Sequence, residues 1–114
     1  MMKKLLLLIL LLVPFKAQAV DYLMIGRGGA SCDQFNHDIK QSEQWEYIYY
    51  SWAEGYMSAI NARNYDRYGT SVNLLPNSFE GPAQLQFLKT YCSFNPNKSF
   101  LFGVMTLFEA LGKE

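Results

Sequence analysis

The side chains in this sequence that could take part in catalysis are one histidine and a few carboxylates. His37 is the only histidine, and a nucleophile needs such a base within hydrogen-bond reach. We predict that His37 lies on a short, exposed helix, where a histidine is normally only solvated. Two pairs of carboxylates lie close together in the sequence: Asp33 with Asp38, and Glu43 with Glu46. Acidic residues near helix starts usually serve the helix dipole and solubility, so we predict no catalytic residue and no enzyme activity.

Metal and phosphate sites also lack the residues that they need. A structural zinc ion takes about four cysteine or histidine ligands, whereas the chain has 2 cysteines and 1 histidine. The glycine-rich run 26–29 is not followed by the Gly-Lys-Ser/Thr of a phosphate-binding loop, so we interpret it as a linker. The sequence therefore predicts no metal site and no cofactor.

The first residues have the pattern of a secretory signal peptide. Lys3 and Lys4 precede an apolar run over 5–15, and Ala17-Gln18-Ala19 has the small-x-small pattern that a signal peptidase accepts. A membrane anchor is the alternative, but a spanning helix needs about 20 apolar residues, more than this run provides. We predict cleavage after Ala19, no stable membrane anchor and a periplasmic or secreted location.

Cleavage would change the net charge of the protein. The whole chain has 10 basic and 10 acidic residues, and the predicted signal peptide contains Lys3, Lys4 and Lys16 but no acidic residue. The remaining chain would have 7 basic and 10 acidic residues, which gives a net charge of −3. Because phosphate binding needs a basic surface, we expect no nucleic acid as a partner.

Export also gives the two cysteines their simplest role. Only one intramolecular pairing is open to Cys32 and Cys92, and an oxidising compartment favours it. A redox-active pair is the alternative, but the chain has no C-x-x-C motif. We therefore predict a structural disulfide between Cys32 and Cys92.

The rest of the pattern predicts an all-α, four-helix domain over 31–114, after a flexible segment at 20–30. Residues Ser31 to Gln34 have the pattern of a capping box, and Ser42 is an N-cap candidate. Asn95-Pro96 breaks the chain after the third helix. The predicted elements are a first helix from near Cys32, a second from Ser42-Glu43, a loop over 64–77, a third helix after Ser78, and a fourth from Lys98 to Leu111 with Gly112 as its C-cap.

Apolar residues at spacings of three and four predict the inward faces of these helices. The richest stripe lies on the second helix. The predicted core consists of Trp45, Ile48, Tyr49, Trp52, Tyr56, Leu85, Leu88, Val104 and Phe108.

The opposite side of the second helix is unusually rich in tyrosine and methionine. One reading is that the helix is central, so that both sides contact other elements. The other is a partner or dimer surface, because these residue types are enriched at interfaces. The long loop over 64–77 adds to this candidate surface. The candidate residues are Tyr47, Tyr50, Met57, Tyr65 and Tyr68.

Three segments together resemble a known group of small periplasmic proteins. SCDQF begins at Ser31, W-x-x-GYMSAIN begins at Trp52, and LKTYCSFNPNKSF ends at Phe100. The arrangement resembles the HdeA/HdeB-like proteins, and it looks like the related helical immunity proteins that neutralise type VI secretion toxins. The HdeA/HdeB-like resemblance implies a compact helical domain with one disulfide, carried here by Cys32 and Cys92, whereas the similar immunity proteins carry more cysteines.

The two resemblances imply different partners. An HdeA-like role would be stress protection: acid loosens the protein, which then binds unfolded clients through an apolar surface hidden at neutral pH in a dimer. An immunity protein or accessory inhibitor would bind one specific toxin or enzyme. We predict a non-catalytic protein that binds other proteins, with the HdeA-like role first and the inhibitor as the alternative. The sequence leaves a homodimer open.

Overall fold

The computed structural model describes residues 23–114, so the predicted signal peptide lies outside the described residues. The described chain begins with a 3₁₀ turn, Arg27–Gly29, and continues with four α-helices. These are α1 (Cys32–Gln41), α2 (Glu43–Tyr68), α3 (Gly81–Phe94) and α4 (Phe100–Leu111). Within residues 23–114 the only β-type pairing is an isolated bridge between Ser31 and Ser99. The prediction of a four-helix, all-α fold is confirmed.

The helix starts follow the predicted capping residues. Ser31 Oγ accepts a hydrogen bond from Gln34 N at 3.0 Å, and Ser42 Oγ accepts one from Gln44 N at 3.1 Å. These bonds satisfy backbone N–H groups that have no partner inside the first helical turn.

None of the helices in the described residues is both long and apolar enough to cross a membrane.

The disulfide lies in a cluster of backbone hydrogen bonds that joins α1 to the turn between α3 and α4. Cys32 and Cys92 are bonded, with their Cα atoms 4.8 Å apart, which confirms the predicted pairing. Cys32 N donates to Lys98 O at 2.7 Å, and Asp33 N donates to Pro96 O at 3.0 Å. The N-terminus of α1 is therefore tied to the α3–α4 turn both covalently and by hydrogen bonds.

The second helix is longer than predicted. It continues to Tyr68, and Gly69 ends it in the left-handed region at φ 68°, a conformation that glycine adopts without strain. The prediction that 64–77 is a loop is therefore wrong for 64–68. Most side chains over 64–68 are exposed, and a helical segment that faces no core carries no apolar periodicity.

The loop that follows α2 folds back along the helix. Asn61 binds it at two points: Asn61 Nδ2 donates to Val72 O at 2.7 Å, and Asn61 Oδ1 accepts from Val72 N at 3.0 Å. Val72 and Leu74 then pack against the core. Residues 70–80 are therefore fixed to the domain although they form no helix.

The core is centred on α2, where Tyr49, Ala53 and Met57 are buried one helical turn apart. Phe35 and Phe100 stack on each other, with ring centroids 5.0 Å apart, and both meet the Tyr49 ring edge to face. Other fully buried side chains come from α3 and α4, including Leu88, Val104 and Leu107.

The predicted core residues differ in how deeply they are buried. Tyr49, Leu88 and Val104 are fully buried. The half-buried ones are Trp45, Trp52, Tyr56, Leu85 and Phe108. The prediction for Ile48 is wrong, because this side chain is 38% exposed. The buried line runs through Ala53, about 100° around the helix from Trp52, and this rotation turns Ile48 outward.

The segment before α1 is packed, which differs from the predicted flexible linker. Gly28 is buried against Trp52, so closely that a Cβ there would lie within 1.9 Å of the indole ring. Trp52 Nε1 also donates to Ile25 O at 3.3 Å. The Arg27 guanidinium lies 4.3 Å from the centroid of the Trp45 ring, a cation–π contact. Residues 25–30 therefore belong to the folded domain.

Candidate functional site

Three exposed tyrosines lie on one side of α2, and we call them the tyrosine face. Tyr47 is 73% exposed, Tyr65 is 67% exposed and Tyr68 is 69% exposed. Their spacing places them on the same side of a helix that turns about 100° per residue. They span about 30 Å at 1.5 Å per residue. Because tyrosine is enriched where proteins meet, this row is a candidate contact surface.

The other two residues of the predicted partner surface are more deeply placed. Tyr50 is half-buried, and its hydroxyl donates to Gln84 Oε1 at 2.9 Å. Met57 is 1% exposed, so its assignment to the surface is wrong. The loop after α2 returns over this part of the helix and packs Leu74 against the core, which covers Met57.

Gln84 joins three elements beneath this surface. It is fully buried, and its Nε2 donates to Leu74 O at 2.8 Å and to Phe79 O at 2.9 Å. Its Oε1 accepts the bond from Tyr50, so α2, α3 and the loop meet at one amide. Gln84 is not among the residues predicted from the sequence. Gln84 lies four residues before the inward-facing Leu88, and this spacing is the feature of the sequence that indicates burial.

A groove between α2 and its neighbours runs past Tyr47, the first residue of the tyrosine face, and we call it the α2 groove. Its deeper part is a cleft of about 190 Å³ whose lining includes Tyr50, Met57, Leu74 and Leu75. Its shallower part is lined by Tyr47, Tyr50 and Leu85 together with Glu43 and Glu46. Tyr50 lines both parts, so the two depressions adjoin at this side chain.

The α2 groove is acidic. Glu43 and Glu46 line its shallow part, and Glu54 lines the cleft. Lys89 forms an ion pair with Glu46. This lysine therefore does not neutralise Glu43 or Glu54. Burial raises the pKa of Tyr50, and the negative charge of Glu54 raises it further. Apolar walls and a negative rim therefore occur together.

A second polar cluster lies inside the domain, at the contact between α1 and α2. Asp38 is only 7% exposed. Its Oδ2 accepts from the Tyr49 hydroxyl at 2.6 Å, and its Oδ1 accepts from Gln34 Nε2 at 2.7 Å. Asp33, the predicted neighbour of Asp38, is exposed, so the two carboxylates occupy different environments. His37 is also exposed, as predicted for it.

The environment of Asp38 shifts two pKa values in opposite directions. Burial raises the pKa of Asp38, but the hydrogen bonds from Tyr49 and Gln34, with the charges of Arg27 and His37, bring it below its ordinary value of 3.8. The pKa of Tyr49 is raised to about 12 by burial, by its hydrogen bond to Asp38 and by the negative charge of Asp38. The ionised Asp38 and the neutral Tyr49 therefore stabilise each other.

This pair predicts a stability that depends on pH. A depressed folded pKa means that Asp38 stabilises the fold above its unfolded pKa of about 3.9, and that this contribution disappears as the pH falls through the folded pKa. We expect Asp38→Asn to lower the free energy of unfolding by about 1 to 3 kcal/mol at pH 7. The difference from the parent should shrink toward pH 3. Urea denaturation at both pH values measures it.

The matched control is Asp66→Asn, which removes the same charge from an exposed position on α2. It should change the stability by less than about 0.5 kcal/mol at either pH. An Asp38→Asn deficit that is equally large at pH 3 and pH 7 would show that the ionised carboxylate is not the stabilising group.

Among residues 23–114, no group of three or more histidines, cysteines and acidic residues is placed to bind a metal ion. A separate shallow groove beside α4 has a mixed lining, with Tyr91, Phe102 and Met105 as well as polar and charged side chains such as Lys98 and Glu109. It lacks the row of exposed tyrosines that accompanies the α2 groove.

In comparisons with known proteins, no protein-family model, no curated protein and no solved structure matches the chain. The resemblance to HdeA/HdeB-like proteins and to helical immunity proteins therefore stays a prediction.

Proposed function

We propose that this protein is a non-catalytic periplasmic or secreted protein that works by binding other proteins. The observation that carries the proposal is the tyrosine face beside the α2 groove. Tyrosine offers a large contact area, a polar hydroxyl and few rotatable bonds, and it is enriched where proteins meet. The signal-like residues before Val20 and the Cys32–Cys92 disulfide support the location outside the cytoplasm.

Between the two kinds of partner, the groove favours one cognate protein at neutral pH, as for an immunity protein or accessory inhibitor. The hydrogen bonds of Gln84 and Asn61 fix the loop that forms one wall of the groove. A surface that is already ordered loses less conformational entropy on binding, which favours tight and specific association.

The HdeA-like role in acid stress is the second candidate, and Asp38 is the observation that favours it. Its ionised carboxylate joins α1 to α2 through Tyr49. Protonation in acid would weaken this contact while the carboxylates lose their charge and the protein becomes strongly positive. Both changes loosen the contact between α1 and the core, as an acid-activated chaperone would require.

Site-specific photocrosslinking in the producing cell tests the binding surface. We expect a photoreactive phenylalanine analogue at Tyr47 or Tyr65 to yield the same discrete adduct at neutral pH. The matched control is the analogue at Gln86, an exposed residue of α3 on the side opposite Gln84 and Leu88. It should yield no such adduct. The same adducts from all three positions, or none from the tyrosines, would contradict the proposed surface.

Assays on the purified protein at two pH values distinguish the chaperone role from the inhibitor role. A chaperone should bind a hydrophobic dye and suppress the aggregation of an unfolded client near pH 3 but not at pH 7. A dedicated inhibitor should do neither, and it should keep its crosslinked partner at neutral pH.

A further inference from the structure

The dimensions of the α2 groove limit what can occupy it. From Glu43 to Ser58 it follows α2 for about 22 Å at 1.5 Å per residue. Its cleft of about 190 Å³ is smaller than the 300 to 1,000 Å³ typical of small-molecule sites. A cavity of about 150 Å³ accepts benzene, so the cleft fits one large apolar side chain. A long shallow groove with one deep position suits a peptide segment.

The chemistry of the cleft is apolar in depth and polar at its edge. Met57 and Leu74 belong to its lining, and Leu75 lies at its edge, where it is 66% exposed. The buried Gln84 has partners at both ends of its amide, and both of its N–H donors are already used within the domain. The cleft therefore selects an apolar side chain such as leucine, methionine or phenylalanine.

The rim selects positive charge. Glu43 and Glu54 are both exposed, and they lie about 16 Å apart along the helix axis. The Tyr47 ring lies between them in sequence and is also exposed. An aromatic ring flanked by carboxylates attracts a guanidinium or ammonium group through both its π face and the neighbouring charge. Arg27 over Trp45 shows the same pairing within this protein.

A second copy of this chain is a poor occupant on the same grounds. A two-fold dimer places the same patch on both sides of its interface, so two α2 grooves would bring carboxylates against carboxylates. The basic residues Arg63 and Arg67 do not relieve this, because at about 100° per residue they lie on the side of α2 opposite the tyrosine face. A nucleic acid is excluded by the same negative charge.

Given the protein-binding role proposed above, on which this step rests, we propose that the α2 groove binds a basic amphipathic segment of its partner protein. One apolar side chain of the segment enters the cleft between Tyr50 and Leu75. Lysine or arginine side chains on either side of it reach Glu54 and Glu43, and one of them packs on the Tyr47 ring. The partner segment would therefore have one apolar side chain with basic side chains on both sides of it.

Two synthetic peptides test this assignment on the purified, oxidised protein without its signal peptide. Both have 15 residues with leucine at helical spacing, and the remaining positions are lysine in one and glutamate in the other. We expect the lysine peptide to shift the NMR signals of Tyr47, Tyr50 and Leu75, with an affinity that falls as salt rises. The glutamate peptide should leave these signals unchanged.

Charge variants show whether the rim carboxylates are responsible. Glu43→Gln with Glu54→Gln should weaken binding of the lysine peptide about five- to tenfold. The matched control is Asp33→Asn with Asp66→Asn, which removes two charges from exposed positions outside the groove. It should weaken binding less than about twofold, because screening limits distant charges.

Equal binding of both peptides, or equal losses in the two double variants, would overturn the assignment of a basic partner. Failure of the lysine peptide to shift any signal of the groove would overturn it as well. The proposed function has its own test in the crosslinks from Tyr47 and Tyr65, so it stands if those succeed while the peptides fail. A concentration-dependent dimer that contacts the groove would replace the partner segment by a second copy.

Discussion

Replacing both Cys32 and Cys92 with alanine should lower the free energy of unfolding by about 4 kcal/mol. The disulfide joins residues separated by 60 positions, and the loss of chain entropy in the unfolded state predicts this magnitude. A small domain has a total stability of about 5 to 15 kcal/mol, so the disulfide supplies a large share of the stability of this one. Urea denaturation of the protein without the predicted signal peptide, followed by circular dichroism at 222 nm, measures the change.

Reduction of the parent protein is the control for this prediction. The reduced parent should unfold at nearly the same urea concentration as the double alanine variant, because both lack the same crosslink. Alanine substitution alone also removes buried sulfur atoms, and the comparison separates that packing effect from the loss of the bond. A double variant within about 1 kcal/mol of the oxidised parent would contradict the entropic estimate.

The parts of the fold that could be predicted are those specified by local residues. Ser31 and Ser42 cap α1 and α2 because a short hydroxyl side chain beside a helix start satisfies a nearby N–H group. The Asn95-Pro96 pair ends α3 because the residue before proline avoids helical geometry. The disulfide could be predicted because two cysteines allow only one pairing. Each of these inferences needs only neighbouring residues or a count.

The errors arose where distant contacts decide the outcome. The orientation of α2 is set by Phe35 and Phe100 packing on Tyr49, and no residue of α2 itself reveals that contact. The small Ala53 marks the centre of the buried side, but an apolar count gives it little weight beside Trp52. Gln84 was missed because its partners lie ten residues before it and on another helix.

Neighbouring tyrosines illustrate why residue type alone does not decide the role. Tyr49 is fully buried and donates to Asp38, whereas the adjacent Tyr50 donates to Gln84 and lines the groove. Tyr47 is largely exposed. A rotation of about 100° per residue places the three side chains in the core, at the edge and in solvent. One helix therefore supplies both the centre of the core and the proposed binding surface.

The core offers the second prediction of large effect. Phe100→Ala should lower the free energy of unfolding by about 3 to 5 kcal/mol, the usual range for a buried phenylalanine. Phe100 is fully buried, and its ring contacts Phe35 and Tyr49 with centroids 5.0 Å away in each case. For a domain of this size the midpoint of thermal unfolding should fall by at least about 12 °C. Calorimetry on the oxidised protein measures the fall.

Phe94→Ala is the matched control, since the same atoms are removed from a side chain that is 80% exposed. Exposed substitutions usually change stability by less than about 0.5 kcal/mol, so this variant should melt within about 3 °C of the parent. Comparable losses in the two variants would mean that Phe94 is also buried, by another copy or by rearrangement of the α3–α4 turn. A Phe100→Ala variant as stable as the parent would contradict a core built on α2, because Phe100 is the residue through which α4 meets the aromatic rings of both α1 and α2.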